Sequence, residues 1–211
     1  MKKRLIFDID NTLIIWEKEY IKGLEKTLEY FSIDPQKYSK TIDGIIENQE
    51  NKYIKLSKQS LLEEINKTCN LNLDKSFIEL LFKNQGILAK KDDIVVETIK
   101  YLSQKYELVI LTNYFKEIQE ERLKNAGIRK YFKEIYSGDE VPVKPNKEAF
   151  KKAIGNNKKE ECIMIGDSIK HDIEGAKSIG LDVIAVDYFG KLNLDLDCPI
   201  ITNINELTKI L

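Results

Sequence analysis

The chain has 211 residues, 42% hydrophobic and 33% charged, with a formal net charge of −1. That balance fits a folded globular protein and excludes a disordered acidic tail. Lys and Arg are interspersed with Asp and Glu, so the basic stripe that a nucleic-acid footprint needs is missing, and no apolar run approaches the ~20 residues of a bilayer span.

The first element is the short apolar run Leu5-Ile6-Phe7, which ends in Asp8-Ile9-Asp10-Asn11-Thr12. Met1-Lys2-Lys3-Arg4 carries the charge of a signal peptide, but the apolar stretch stops at Asp8, so none is expected and the cytoplasm is the expected location. Side-chain direction repeats every second residue on a strand, which points Asp8 and Asp10 the same way. Two anions that close call for a counter-charge, usually a metal ion. The first carboxylate can then act as a nucleophile and the second can shuttle a proton. A calcium loop fails here, because its sixth and twelfth positions want Gly and Glu, and Leu13 stands at the sixth.

Residues 15 to 88 read as helices at 17–31, 36–52, 58–68 and 74–83, with no convincing strand. Asp34-Pro35 marks one boundary and Asp74 is placed to cap another. The remainder alternates. Apolar runs at 108–111, 162–165, 183–186 and 200–201, with a weaker one at 134–136, predict buried parallel strands. Helices are expected at 93–104, with Val95, Ile99 and Leu102 on one face, and at 115–126, closed by Gly127. Such alternation implies an α/β fold with a parallel sheet covered on both faces. The division is core over 1–14 and 89–211, with a helical block at 15–88 over the sheet's active edge. Cys69, Cys162 and Cys198 form no CxxC pair, so free thiols are expected, with Cys162 in the core.

Ligands of open parallel sheets sit at the carboxyl ends of the strands. Asp8 and Asp10 close the first strand, Thr112-Asn113 the second, and Gly166-Asp167 the run at 162–165, so three polar clusters share one edge. Each has a plainer reading. Thr112 is placed to cap the next helix, Lys144 resembles any surface lysine, and Gly166-Asp167-Ser168 with Asp172 could be a turn and an acidic helix start. Trp16 and Tyr20 could stack on a substrate ring or pack at a hinge. His171, the single histidine, reads as an exposed helix start without a catalytic role.

Taken in order, the motifs resemble those of the haloacid dehalogenase-like (HAD) hydrolase superfamily, in the branch with a helical cap after the first motif. DxDxT matches Asp8, Asp10 and Thr12; a strand ending in Thr matches Thr112; KPxPxxF matches Lys144, Pro145 and Phe150, with Lys147 in place of the second Pro; GDxxxxD matches Gly166, Asp167 and Asp172. The resemblance implies a Rossmann-like core with an inserted cap and a magnesium-dependent phosphatase acting through an aspartyl-phosphate. Asp8 is then the nucleophile and Asp10 the acid and base. Mg2+ is held by Asp8, the Asp10 carbonyl and Asp167, while Asp172 supports its water shell or positions Lys144. Thr112, Asn113 and Lys144 bind the phosphoryl group, and Lys144 with the metal keeps the Asp8 carboxyl low. The expected substrate is a small phosphorylated metabolite, with no nucleic acid or membrane partner, acted on by a monomer or homodimer. A sugar phosphomutase and a non-catalytic binding protein are the alternatives. Dehalogenation is disfavoured, since halide departure needs no proton from Asp10.

Overall fold

The computed structural model describes residues 2–15, 19–192 and 196–211. Six parallel strands, β1 (Arg4–Phe7), β2 (Glu107–Leu111), β3 (Glu134–Tyr136), β4 (Cys162–Gly166), β5 (Asp182–Val186) and β6 (Ile200–Ile201), form one sheet in the order β3-β2-β1-β4-β5-β6. All six predicted runs are therefore strands of an α/β, Rossmann-like sheet. The chain builds outward from β1 to β3, then returns to β4 on the other side. The order reverses between β1 and β4, where a crevice opens at the carboxyl end.

Strand alternation sorts the core into two layers. Leu5 and Phe7, Leu108 and Ile110, and Ile163 and Ile165 face α5 (Asp93–Ser103) and α6 (Lys116–Asn125). Ile6, Val109, Leu111 and Met164 face α7 (Lys147–Ile154), through Ala149, Phe150 and Ala153. Both faces are covered, which is why these strands read as continuous apolar runs. Phe7 is fully buried and meets Phe132 edge-on with ring centroids 5.9 Å apart; such a side chain contributes about 2–3 kcal/mol of burial.

Four helices follow the first motif: α1 (Glu19–Tyr30), α2 (Pro35–Glu50), α3 (Lys58–Cys69) and α4 (Lys75–Gly86). Their starts follow local chemistry. Asp34 accepts from Gln36 N with Pro35 in the first turn, Ser57 accepts from Ser60 N, and Asp74 accepts from Ser76 N. The four share a hydrophobic cluster that includes Leu24, Leu28, Ile42, Ile65, Phe77 and Leu81, and reaches Tyr114, Phe115 and Ile118 at the start of α6. Trp16 lies outside the described residues. Tyr20 is buried, its hydroxyl bonded to that of Tyr114 and the two rings edge-on at 5.9 Å, so it packs as expected while also lining the cavity described below. Cys69 and Cys162 are buried and Cys198 half-buried, all as free thiols, with Cys162 in the sheet core as expected. No described helix is long and apolar enough to cross a membrane.

Candidate active site

The sheet edge gathers residues that lie far apart in the chain. β1 stops at Phe7, and Asp8 N continues the ladder to Ile165 O at 2.9 Å. The chain then turns sharply. Leu13 N and Ile14 N both bond Ile9 O at 2.9 Å, and Asn11 adopts φ +56. Asp10 therefore sits in this turn, not on the strand. The alternation argument that paired it with Asp8 does not apply beyond Phe7.

Lys144 is 2% exposed, and its Nζ donates to Asp8 Oδ1 and Asp172 Oδ1, each at 2.6 Å. Its main chain is clasped by Asn113: Lys144 N donates to Asn113 Oδ1 at 2.6 Å, and Asn113 Nδ2 donates to Lys144 O at 3.1 Å. Asn113, expected to bind substrate, lines the cavity described below and also braces Lys144, with its amide 3.3 Å from Glu50. The Lys144–Pro145 peptide is cis.

Asp172 lies in a π turn, Ile169–Glu174, and folds back so that its Oδ2 accepts from Ser168 N at 3.1 Å. Only glycine allows this at position 166, because a Cβ there would come within 2.4 Å of Asp172 Oδ2. Asp172 is 1% exposed, which rules out the solvated helix start. Asp8, Asp167 and Asp172 each place a carboxylate oxygen within 4.8 Å of the other two, a hard-oxygen set suited to a small divalent cation.

Asp10 and Thr112 turn the other way, toward α6. Arg122 Nη1 donates to Asp10 Oδ1 at 2.5 Å; Gln119 Nε2 donates to Asp10 Oδ2 at 3.0 Å and to Thr112 Oγ1 at 2.9 Å. Thr112 is 1% exposed and does not cap α6. That helix begins at Lys116, with Phe115 at the cap position and no side-chain cap, and Lys116 N finds Asp139 Oδ1 instead, at 2.8 Å.

Asp8, Asp10, Lys144, Asp167 and Asp172 line one cavity of about 330 Å³. From α2 come Asp43, Glu47 and Glu50, one acidic face across two helical turns. His171 lines the same cavity, half-buried, and its Nε2 has no hydrogen-bond partner among the described residues; the exposed position expected for it is corrected.

Burial and crowding set the electrostatics. Burial, with Asp172, Asp10 and Asp167 nearby, pushes the Asp8 carboxyl well above its usual range despite Lys144. Lys144 pulls the Asp8 carboxyl down, as expected of it, but burial and the three neighbouring carboxylates outweigh that pull. Burial and Asp172 carry Asp167 up to about 7, and burial with Asp10 does the same for Glu50. Lys144 is raised above the usual lysine value, since Asp172 and Asp8 outweigh the burial that opposes its charge. Burial and Lys144 lower the His171 imidazole.

A family model described as "Haloacid dehalogenase-like hydrolase" matches residues 5–186. The chain belongs to the haloacid dehalogenase-like hydrolases. Within that family it is 32% identical over 178 residues to pyrophosphatase PpaX of Listeria innocua, covering 82% of this chain and 78% of that protein. It is 27% identical over 200 residues to pyrimidine 5'-nucleotidase PynA of Streptococcus pneumoniae, covering 86% and 82%. Among solved structures, the HAD-hydrolase YfnB of Bacillus subtilis, described as bound to magnesium, superposes with a TM-score of 0.80 at 22% identity, covering 100% of this chain and 98% of that one. That likeness shows the shared hydrolase fold. Gln119, Arg122 and Glu50 are the site residues that motif reading passes over. For the first two the one signal in the sequence is spacing, since Gln119 and Arg122 fall on the same stripe of α6 as Phe115, Ile118 and Leu123.

Proposed function

We propose that this hydrolase is a magnesium-dependent phosphatase of small phosphomonoesters. The observation that carries the reading is Lys144, buried between Asp8 and Asp172 at 2.6 Å from each, beside Asp167. In the first half-reaction an Asp8 oxygen attacks phosphorus, the bond from phosphorus to the ester oxygen breaks, and Asp10 gives that oxygen a proton. In the second, Asp10 takes a proton from water, the water oxygen attacks phosphorus, and Asp8 leaves as a free carboxylate. Thr112 and Lys144 offer the phosphoryl oxygens a hydroxyl donor and a fixed cation. This suits a reaction whose catalysis is mainly positioning and charge stabilisation. Asp8, Asp167 and the Asp10 carbonyl would hold Mg2+, which supplies positive charge beside the phosphoryl oxygens. Both oxygens of Asp172 are already engaged by Lys144 Nζ and Ser168 N, which favours a supporting place for it.

Residues 15–88 act in this reading as a cap over a core of 1–14 and 89–211. The acidic face of α2 lining the cavity supports that division. It also bears on the leaving group. Asp43 and Glu47, joined by Glu50 once it ionises above about 7, repel further negative charge, so a phosphate ester of a neutral or cationic alcohol suits the cavity better than a polyanion such as pyrophosphate. Asp10 supports phosphoryl transfer over dehalogenation. The test is phosphate release from several dozen phosphorylated metabolites with Mg2+ or EDTA. Turnover of monoesters that EDTA abolishes supports the reading; no turnover of any ester at a folded, Mg2+-supplied protein overturns it. A preference for pyrophosphate would overturn the leaving-group assignment alone.

A further inference from the structure

The two carboxylates of the first motif are held by different parts of the protein. Asp8 belongs to Lys144, whereas both oxygens of Asp10 are taken up by α6: Oδ1 by Arg122 at 2.5 Å and Oδ2 by Gln119 at 3.0 Å. The two donors are joined to each other, Arg122 Nη1 to Gln119 Oε1 at 2.7 Å, and Gln119 Nε2 goes on to Thr112 Oγ1. Arg122 is 5% exposed and Gln119 fully buried. A buried guanidinium is costly unless its partners are well placed, so a residue that served only to tie α6 down would more cheaply be apolar.

The side chain of Asp10 is about a quarter exposed and stands on a tight turn, where its own torsions would be free. Donors on both oxygens remove that freedom. A carboxylate has about four lone-pair directions, so two occupied by N–H groups leave two for a water or a leaving oxygen. The same network reaches Thr112, so it fixes the proton-transfer group relative to a residue at the end of β2.

We infer that Arg122 and Gln119 are positioning residues for Asp10, setting the proton-transfer carboxylate against the ester oxygen and the attacking water. The inference rests on the reading of Asp10 as acid and base. A misplacement of about 1 Å can cost 10²-fold in rate, and general acid–base catalysis as a whole contributes about 10²–10⁴-fold. Loss of the pair should therefore cost about 10–100-fold where a proton must reach the leaving oxygen, and little where none is needed.

The experiment compares Arg122→Met, Gln119→Met and Arg122→Lys with wild type, using glycerol phosphate and p-nitrophenyl phosphate in rapid-quench first turnovers and at steady state with Mg2+. The expected result for Arg122→Met is first-turnover alcohol release from glycerol phosphate slowed about 10–100-fold with KM within about threefold. First-turnover nitrophenol release should stay within about threefold, and Arg122→Lys should recover part of the loss. If Arg122→Met does not fold, Gln119→Met carries the same expectation. Equal losses on both substrates, or none on either, would overturn the inference. Asp10→Asn, run in parallel, separates the two levels. Its failure to discriminate between the substrates removes the acid–base reading as well, whereas discrimination by Asp10→Asn alone removes only the positioning of Asp10 by α6.

Discussion

Replacing Lys144 by Met removes the cation that bridges Asp8 and Asp172 while keeping most of the side chain's volume. In the wild-type protein the lysine value is raised, so its contribution is fully present below the ordinary lysine pKa and constant from pH 5 to 8. The substitution leaves two carboxylates, 6% and 1% exposed, without their shared partner. Breaking such a buried pair costs about 3–5 kcal/mol. For a chain of this length, each kcal/mol moves the melting temperature by about 2–4 °C, so a fall of about 10 °C is expected at pH 8. At pH 5 the stranded Asp8 carboxyl, already pushed up by burial, takes up a proton more readily, and the fall should shrink to less than half. Activity should drop by at least about 10³-fold at both values, since nothing replaces the charge beside the nucleophile. Differential scanning fluorimetry at the two pH values, with phosphate release on the same samples, gives both numbers. A variant that melts within about 1 °C of wild type at pH 8, or retains more than a tenth of its activity, would refute the assignment of Lys144 as the buried counter-charge.

Three further expectations follow from the same geometry. Asp10→Asn should slow alkyl phosphates about 10²-fold or more while sparing first-turnover release of an aryl leaving group; equal effects in quenched-flow would count against proton transfer by this residue. Gly166→Ala puts a Cβ 2.4 Å from Asp172 Oδ2, so Asp172 must move off Lys144. A loss of about 1–3 kcal/mol in denaturant titration and at least about 10²-fold in turnover is expected, and wild-type behaviour would refute the close approach. Asp167 is raised from 3.8 to about 7 in the fold, so its protonated form is favoured; stability from this group is present at low pH and lost as pH rises through about 7, by at most about 4 kcal/mol. A divalent cation needs the ionised form, so Mg2+ should raise the melting temperature more at pH 8 than at pH 5.5, and equal shifts at the two values would be contrary.

Most of the sheet was legible in the sequence because β1, β2, β4 and β5 are buried on both faces and read as apolar runs, whereas β3, with Glu134 exposed, gave only a weak signal. The helix boundaries at Asp34-Pro35 and Asp74 were legible because capping is local chemistry, readable within a few residues. Long-range compensation is not. Arg122 sits in Gln-Glu-Glu-Arg, which reads as a solvated face, yet it is buried and paired with Asp10, a partner more than a hundred residues away in the chain. His171 was misjudged as exposed for a related reason: it stands in a π turn whose Asp172 carboxylate packs against Gly166, a contact that periodicity does not encode. The acidic face of α2 was likewise invisible as part of a cavity until its helix was seen beside Asp10.

Rapid acid quench of the protein during turnover of ³²P-labelled substrate with Mg2+, followed by peptide mapping, asks where the phosphoryl group goes. The account predicts label on the peptide carrying Asp8, lost in Asp8→Asn together with several orders of magnitude in turnover. Turnover that proceeds at near wild-type rate in Asp8→Asn, or label that maps to a different residue, would contradict it.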